Sequence, residues 1–259
     1  MNKMILLVVT AAMALSAVTV YAEEAKPQAS YQPRMDKDGW EVLFDGKDIN
    51  AWDADLKAGV WAINDQGELY PAKAGPSIFT RQRYCDYVLE LDFKVVAKKK
   101  SNSGVFLRVH NNHDEVNTGM EIQILDDADY GVKWDAMNAN GALYDLVHPT
   151  VAASKEPGEW NHYRITANNN LITVELNGKE IVKADLDQWT KARENPDKTH
   201  NKFPHAIGSL PREGFIGLQN YGATPAWFRN VRLKALSDRK PKFTGKEPIA
   251  DVLTKPAEK

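Results

Sequence analysis

An alternation of apolar and polar residues runs through the middle of this chain and constrains its fold more than any other feature. The segments that show it are 87–95, 105–110, 121–124 and 172–177. Because successive side chains of a strand point to opposite faces of a sheet, this period predicts strands that each bury one face.

Asparagine and glycine separate the alternating segments where the chain is expected to turn. Asn168, Asn169 and Asn170 lie before the last of these segments, and Asn177 with Gly178 comes at its end. Both residue types tolerate the positive φ that tight hairpin turns require, so these positions predict hairpins.

Helical patterns are scarce. The best candidate is residues 185–194, where Asp187 would cap a short helix that ends before Pro196. Many strands joined by regular turns, with one short helix at most, predict an all-β fold. We expect a two-sheet antiparallel sandwich of the jelly-roll kind.

The start of the chain has the pattern of a signal peptide. Lys3 precedes an apolar run over residues 4–20, and Tyr21 and Ala22 follow before two glutamates. This predicts a signal over residues 1–22 with cleavage after Ala22. The uncharged run is just long enough to span a bilayer, so a retained anchor is the alternative.

The remaining chain divides by composition into a polar linker (23–37), a sandwich domain (38–236) and an extended tail (237–259). No second segment is apolar and long enough to span a membrane, so we expect a periplasmic or secreted protein. The net charge of -2 offers no field that would favour nucleic acid. The single cysteine, Cys85, excludes an intramolecular disulfide.

The alternation also sorts the polar side chains by face. If Val105, Leu107 and Val109 point into the core, the opposite face carries Asn102, Gly104, Phe106, Arg108 and His110. Two more segments place Glu121, Gln123, Phe215, Gly217 and Gln219 on such a face. A carboxylate, a guanidinium, amides and flat rings are the groups that bind sugar hydroxyls and ring faces. An ordinary solvated face is the alternative, but glycines would only weaken its strands.

Two further clusters do not meet the requirements of a metal site. His110 and His113 are followed by two acids, but their spacing fixes no third ligand. Asp126, Asp127 and Asp129 lack the glycine and terminal glutamate that complete a calcium loop. We therefore assign no metal ligand. The segment 195–211 is long, polar and proline-containing, as functional or mobile loops often are.

Eight segments, taken in order, resemble the 3-keto-disaccharide hydrolase domain family. They span 39–52, 102–108, 120–126, 141–146, 158–161, 176–178, 217–219 and 227–230. The resemblance covers about residues 39–236. It implies a concanavalin A-like jelly-roll sandwich, in agreement with the alternation.

The resemblance implies cleavage of glycosides whose sugar has been oxidised at C3. The ketone acidifies the C2 hydrogen, so a base can start an elimination, and water can add back. Hydrogen-bond donors, a cation or a divalent metal would stabilise the enolate. The implied partners are an oligosaccharide or glycoside substrate and a sugar 3-dehydrogenase that acts upstream. A non-catalytic carbohydrate-binding module on the same sandwich is the alternative.

On the matching motifs, the resemblance implies Glu121 as the acid or base and Arg108 as the ligand of the keto or enolate oxygen. The implied substrate-binding residues are Asn102, Phe106, Gln123, Tyr144, Gln219, Trp227 and Arg229. Structural roles for Asn102 and Arg229 fit the sequence equally well.

Two observations bear on alternatives to this chemistry. Many family members carry Asp-His where this chain has Asn220 and Tyr221, which would remove a metal ligand or a proton relay. A two-carboxylate glycosidase would need a second carboxylate within about 5–10 Å of Glu121. Asp126 lies five positions further on, so a regular strand would turn it to the other face.

Overall fold

The computed structural model describes residues 31–242. The predicted signal peptide, most of the linker and most of the tail lie outside these described residues, so their boundaries stay predictions. The end of the linker contacts the sandwich, since the Tyr31 hydroxyl donates to Glu41 at 3.0 Å and Arg34 pairs with Asp45 at 2.7 Å. Between residues 31 and 242, no helix is long and apolar enough to cross a membrane.

The described residues form a sandwich of short strands. The strands are β1 (Glu41–Phe44), β2 (Trp61–Ile63), β3 (Leu69–Pro71), β4 (Ile78–Phe79), β5 (Tyr87–Val95), β6 (Asn102–Val109), β7 (Met120–Leu125), β8 (Asn161–Asn168), β9 (Leu171–Leu176), β10 (Lys179–Asp185), β11 (Phe215–Leu218) and β12 (Ala226–Ala235). Two single-turn helices are α1 (Glu115–Thr118) and α2 (Asp127–Tyr130), and 3-10 turns lie at Leu56–Ala58, Leu186–Gln188 and Ile207–Ser209.

The strands pair antiparallel in two sheets. The larger sheet has eight strands in the order β10-β9-β8-β5-β12-β3-β2, and β1 also pairs with β12. The smaller sheet has the order β4-β11-β6-β7. The predicted two-sheet antiparallel sandwich is therefore confirmed.

The hairpins occur where asparagine and glycine predicted them. Asn169 (φ 51°) turns the chain between β8 and β9, and Asn177 (φ 53°) with Gly178 (φ 79°) turns it between β9 and β10. Along β8, Tyr163 and Ile165 are buried and alternate with less buried neighbours. The sequence alternation and the pleat of the sheet thus agree.

Side chains from both sheets meet in one main core. Leu89 and Phe93 of β5 lie there with Leu107 of β6 and Ile122 of β7, and all four are fully buried. Burying such a side chain is worth roughly 1.5–3 kcal/mol relative to leaving it exposed. This preference fixes which face of β6 and β7 turns away from the core.

The predicted helix over residues 185–194 is reduced to the 3-10 turn Leu186–Gln188. Asp185, rather than Asp187, caps it by accepting from the Asp187 backbone amide at 3.1 Å. The chain leaves the helical path at Trp189 because this buried indole donates to Asn195 at 2.7 Å. The helices α1 and α2 flank β7 and are too short to produce a helical period in the sequence.

Candidate functional site

A cavity of about 360 Å³ lies on the face of the smaller sheet that turns away from the core. Its lining residues come from β6, β7, the ends of both short helices and three loops. They are Asn102, Val116, Glu121, Gln123, Leu125, Tyr130, Asn138, Tyr144, Lys202, Gln219 and Tyr221. The predicted residues Asn102, Glu121, Gln123, Tyr144 and Gln219 therefore come together.

The strand register brings these side chains to one place. Gly104 of β6 pairs with Gln123 of β7. Phe106, two residues further along β6, pairs with Glu121. The Gln219 amide donates to the Gly104 carbonyl at 2.9 Å, and the Tyr144 amide donates to the Glu121 carbonyl at 2.8 Å. Main-chain hydrogen bonds thus fix the segments that carry Gln219 and Tyr144 against β6 and β7.

Glu121 lies flat across β6 at the place where Gly104 has no side chain. A Cβ atom at Gly104 would come within 2.2 Å of Glu121 Oε1 and 2.8 Å of its carboxyl carbon. Such approaches are too close for any real side chain. Gly104 is therefore required by the carboxylate that occupies its space, which explains a glycine that otherwise weakens the strand.

Glu121 is buried, with 5% of its surface exposed, and no close ion pair offsets the loss of water around its carboxyl group. Burial raises its pKa to about 7, and the negative charge of Glu115 acts in the same direction. Lys202 and a hydrogen bond from Gln219 oppose this shift. Since Lys202 Nζ lies 4.0 Å from Glu121 Oε2, the pair is in ionic contact without a close hydrogen bond. A carboxyl with this pKa can exchange a proton near neutral pH.

Lys202 is the functional candidate that the sequence did not single out. It lies in the loop after the 3-10 turn Leu186–Gln188, and its backbone amide donates to Asp145 Oδ2 at 2.5 Å. Its ammonium group lies 4.6 Å from the centre of the Tyr144 ring. Burial lowers its pKa, and the charge of Glu121 opposes this. The one available signal was the length and polarity of the loop, which did not identify a residue.

The prediction that Arg108 shares this face is wrong. Arg108 has φ 52°, and β6 shifts register against β11 between the pairs of Phe106 and Val109. This bulge turns the guanidinium to the other side, where it is 2% exposed. There it donates to the backbone carbonyls of Asn169 at 2.7 Å and Cys85 at 3.0 Å. Arg108 joins structural elements and does not line the cavity.

Phe106 lies on the expected face, but it is not among the residues that line the cavity. It is fully buried, and its ring stacks on Phe79 with centroids 6.4 Å apart. Val109, displaced by the bulge, joins the same small cluster. A Cβ atom at Gly217 would come within 2.6 Å of the Phe79 ring, so this glycine makes room for Phe79. Phe106 supports the floor beside the cavity and is no platform for a sugar ring.

Trp227 and Arg229 lie on the larger sheet and do not line the cavity. Trp227 stacks on Tyr70 with centroids 6.2 Å apart, and Arg229 covers the Trp160 ring at 4.0 Å. Arg229 also donates to Asp92 at 3.1 Å. These contacts support a structural role for Arg229. Neither residue lies with Glu121 in this cavity, and substrate binding by Trp227 and Arg229 stays a prediction.

Asn220 and Tyr221 have separate tasks. The Asn220 side chain donates to the Lys73 carbonyl at 2.8 Å and accepts from the Ala223 amide at 2.9 Å, so it holds the turn after β11. Tyr221 is 53% exposed and lines the cavity. An aspartate in place of Asn220 could accept from the Ala223 amide but could not donate to the Lys73 carbonyl.

The residues around Glu121 do not fit a tightly held divalent cation. Within residues 31–242, no three His, Cys, Asp or Glu side chains are placed to hold a metal ion. Glu121 is the sole carboxylate among the lining residues, and an ammonium group lies beside it. Lys202, the amides and Tyr144 can instead supply hydrogen-bond donors to a developing negative charge.

Comparison with known proteins gives consistent matches over the sandwich. The model of a family described as 3-keto-alpha-glucoside-1,2-lyase-like domain matches residues 39–234. A 3-keto-disaccharide hydrolase of Bacteroides thetaiotaomicron is 28% identical over 248 residues, which cover 82% of this chain and 84% of that protein.

Solved structures match as well. A candidate glycosyl hydrolase from Parabacteroides distasonis is 34% identical and superimposes with a TM-score of 0.68, covering 76% of this chain and 99% of that one. A second structure from that organism, at 24% identity, has a TM-score of 0.57 and covers 87% of this chain and 100% of that one, which supports the fold alone.

Proposed function

This chain belongs to the family of 3-keto-alpha-glucoside-1,2-lyase-like domains, and we propose that it cleaves glycosides whose sugar carries a ketone at C3, with Glu121 as the base. The observation that carries the proposal is the buried Glu121 carboxyl, with a pKa of about 7 and Lys202 Nζ at 4.0 Å, inside a cavity lined by amides and tyrosines. The names of the family and of its Bacteroides relative support the substrate class.

The reaction begins at C2 of the oxidised sugar. The C3 ketone stabilises a carbanion at C2, so the Glu121 carboxylate takes the C2 proton and an enolate forms. The electron pair then makes a C1–C2 double bond as the C1–O bond breaks. Glu121, now protonated, returns the proton to the departing oxygen. The product is an unsaturated 3-keto sugar, and addition of water across the double bond completes a net hydrolysis.

Lys202 has the position to stabilise the enolate. Its ammonium group contacts both the base and the Tyr144 ring, so it lies at the polar end of the cavity. A fixed positive charge in a buried site favours charge that develops in the transition state more than it would in water. In this proposal Lys202 takes the role that the family resemblance implied for Arg108.

A conventional two-carboxylate glycosidase fits the cavity less well. Such enzymes need a second carboxyl group about 5–10 Å from the first. Asp126 does not line the cavity, and its side chain instead caps α2 by accepting from the Asp129 amide at 3.3 Å. A ketone at C3 removes the need for the second carboxylate because the C2 hydrogen becomes acidic.

The test is turnover of an oxidised substrate. Purified protein is incubated with 3-keto-trehalose or a 3-keto-glucoside, and release of the leaving sugar or alcohol is measured. Release by wild type and its loss in Glu121→Gln are expected. No release by wild type, combined with tight calorimetric binding of plain oligosaccharides, would instead indicate a non-catalytic binding module.

We also propose that the protein acts outside the cytoplasm, downstream of a sugar 3-dehydrogenase. The signal pattern over residues 1–22 supports export, and the substrate must already be oxidised when it arrives. Mass spectrometry of the protein from the producing cell is expected to show an N-terminus at Glu23. An intact N-terminus in a membrane fraction would contradict cleavage.

A further inference from the structure

The cavity over the smaller sheet has two chemically different ends. Glu121, Gln123 and Leu125 share one face of β7, and the four residue steps from Glu121 to Leu125 span roughly 13 Å at strand spacing. Glu121 and Lys202 lie at one end. Tyr130, from the end of α2, lies towards the other end, since its hydroxyl binds the Lys100 carbonyl and the nearby Asn102 pairs with Leu125. The turn that carries Tyr221 also contacts Asn102, whose amide donates to the Thr224 hydroxyl at 3.2 Å.

Exposed apolar side chains are concentrated at this cavity. Among the residues that the structure describes, the large exposed ones are Met35, Val116, Tyr130, Trp134, Val151, Leu171, Tyr221 and Leu236. Three of them, Val116, Tyr130 and Tyr221, line this single cavity. Scattered exposed apolar residues need no explanation, whereas a cluster around a polar pocket indicates a ligand surface.

The Tyr130 ring and the backbone at Tyr221 are held in place before a ligand arrives. The Tyr130 hydroxyl donates to the Lys100 carbonyl at 3.2 Å, and the Lys100 ammonium lies 4.9 Å from the ring centre. Tyr221 is placed by the turn that Asn220 braces through its two side-chain hydrogen bonds. A fixed ring loses little conformational freedom on binding, so Tyr130 suits recognition of a rigid partner.

We propose that Tyr130 and Tyr221 form the subsite of the leaving group and that they select substrates whose leaving group is a ring with an apolar face. This inference rests on the proposed function. The oxidised sugar must place C2 against Glu121 and therefore occupies the polar end. The group attached to C1 then extends towards the tyrosines. A second sugar and an aryl group both offer the required face.

The test compares three substrates that share the oxidised ring. They are a 3-keto-glucoside with a methyl leaving group, a 3-keto-disaccharide and a 3-keto aryl glucoside. The variant is Tyr221→Ala, and each rate is divided by the wild-type rate on the same substrate, so that differences in leaving-group chemistry cancel. We expect kcat/KM to fall about tenfold, equivalent to about 1.4 kcal/mol, on at least one ring-bearing substrate and by less than about twofold on the methyl glucoside.

Two further variants sharpen this result. Tyr221→Phe keeps the ring and is expected to retain wild-type selectivity. Trp134→Ala removes an exposed ring that does not line the cavity and is expected to leave all three rates unchanged. A loss on the ring-bearing disaccharide alone identifies a sugar as the partner of Tyr221, and a loss on the aryl glucoside alone identifies an aryl group.

An equal loss on all three substrates, or no loss on any, would overturn the leaving-group subsite. Failure of the proposed function gives a different result, namely no turnover of any oxidised substrate by wild type. In that case, titration of an unoxidised phenyl glucoside and an unoxidised disaccharide into wild type and Tyr221→Ala measures the subsite directly. An unchanged Kd for both probes would then exclude it.

Discussion

Two buried carboxyl groups, one on the outward face of each sheet, show what distinguishes a candidate active site from a structural ion pair. Glu90 on the larger sheet is 6% exposed, and Glu121 on the smaller sheet is 5% exposed. Glu90 pairs with Arg164 and, at 2.6 Å, with Arg232. Glu121 has one cation, at 4.0 Å.

The neighbouring Asp92 follows the same pattern as Glu90. Burial acts to raise its pKa, but hydrogen bonds from His162, Asn230 and Arg229 outweigh burial and lower it. The corresponding distances are 2.8, 2.8 and 3.1 Å. A cavity of about 410 Å³ lies beside Glu90 and Asp92 and is larger than the one at Glu121. Neither burial nor cavity size therefore identifies the site. The candidate site differs in that its buried carboxyl group lacks close charged or hydrogen-bonding partners sufficient to offset its burial.

The largest expected effect separates the two glutamates. Glu121→Gln removes the base and is expected to lower the turnover of a 3-keto-glycoside by roughly 10²–10⁴-fold. Glu90→Gln removes an equally buried carboxylate and is expected to change turnover by less than about threefold at a temperature where it is folded. Steady-state kinetics with both variants checks this, and equal losses would remove the distinction between them.

Lys202→Met is expected to lower turnover by roughly 10²-fold because the enolate loses its cation. It also removes the charge that lowers the pKa of Glu121, so that pKa should rise. Since only the carboxylate accepts a proton, wild-type kcat/KM should increase with pH through about 7, and the variant's profile should shift to higher pH. Lys94→Met, which breaks an ion pair with Glu68 at 2.9 Å on the larger sheet, is the control. An unshifted profile in Lys202→Met would contradict the pairing.

Gly104→Ala is expected to lower turnover about tenfold, because its Cβ atom would displace a carboxylate that now lies 2.2 Å from that position. Gly75→Ala is the matched control, since its Cβ atom would meet Val60 at 2.6 Å away from the cavity. Turnover at a temperature well below Tm distinguishes the two variants. Wild-type activity in a folded Gly104→Ala protein would show that Glu121 need not lie across this glycine.

The smallest expected effect is on stability. The folded-state pKa of Glu121, about 7, exceeds its ordinary value of 4.5, so folding favours the protonated form. This contribution is fully present below pH 4.5 and is lost as the pH rises through 7, by about 3 kcal/mol. Glu121→Gln is expected to be more stable than wild type at pH 8, and Glu90→Gln less stable by about 1–3 kcal/mol. Urea unfolding at several pH values measures both, and a destabilised Glu121→Gln at pH 8 would contradict the raised pKa.

The fold and part of the site could be predicted because they depend on regular strands. The alternation in β7 places Glu121 and Gln123 on one face whatever the rest of the chain does. The same rule, continued one residue beyond β11, places Gln219. The rule failed at Arg108, where a bulge with positive φ reverses the faces. Arginine has no special preference for that conformation, so the sequence carries no local signal for it.

Other residues could not be placed because their position depends on contacts between distant segments. Strict alternation would place Trp227 and Arg229 on the core face with Val231, but β12 shifts register between Arg229 and Arg232, and Asn230 has φ 52°. Alternation also does not tell to which sheet a strand belongs. Lys202 reaches Glu121 only because Asp145 binds its backbone and Trp189 anchors the preceding loop. The family resemblance supplied the proposed chemistry, and the structure moved the proposed stabilising cation from Arg108 to Lys202.

The most direct test of the central claim follows the hydrogen at C2 of the oxidised sugar. Wild type and Glu121→Gln are incubated with a 3-keto-glucoside in deuterium oxide, and the oxidised sugar product is examined by NMR. If Glu121 is the base, every molecule of oxidised sugar product formed by wild type has lost its original C2 hydrogen. Glu121→Gln then gives only the uncatalysed rate of exchange. An oxidised sugar product that keeps this hydrogen, or exchange that proceeds equally fast without the carboxylate, would contradict the account.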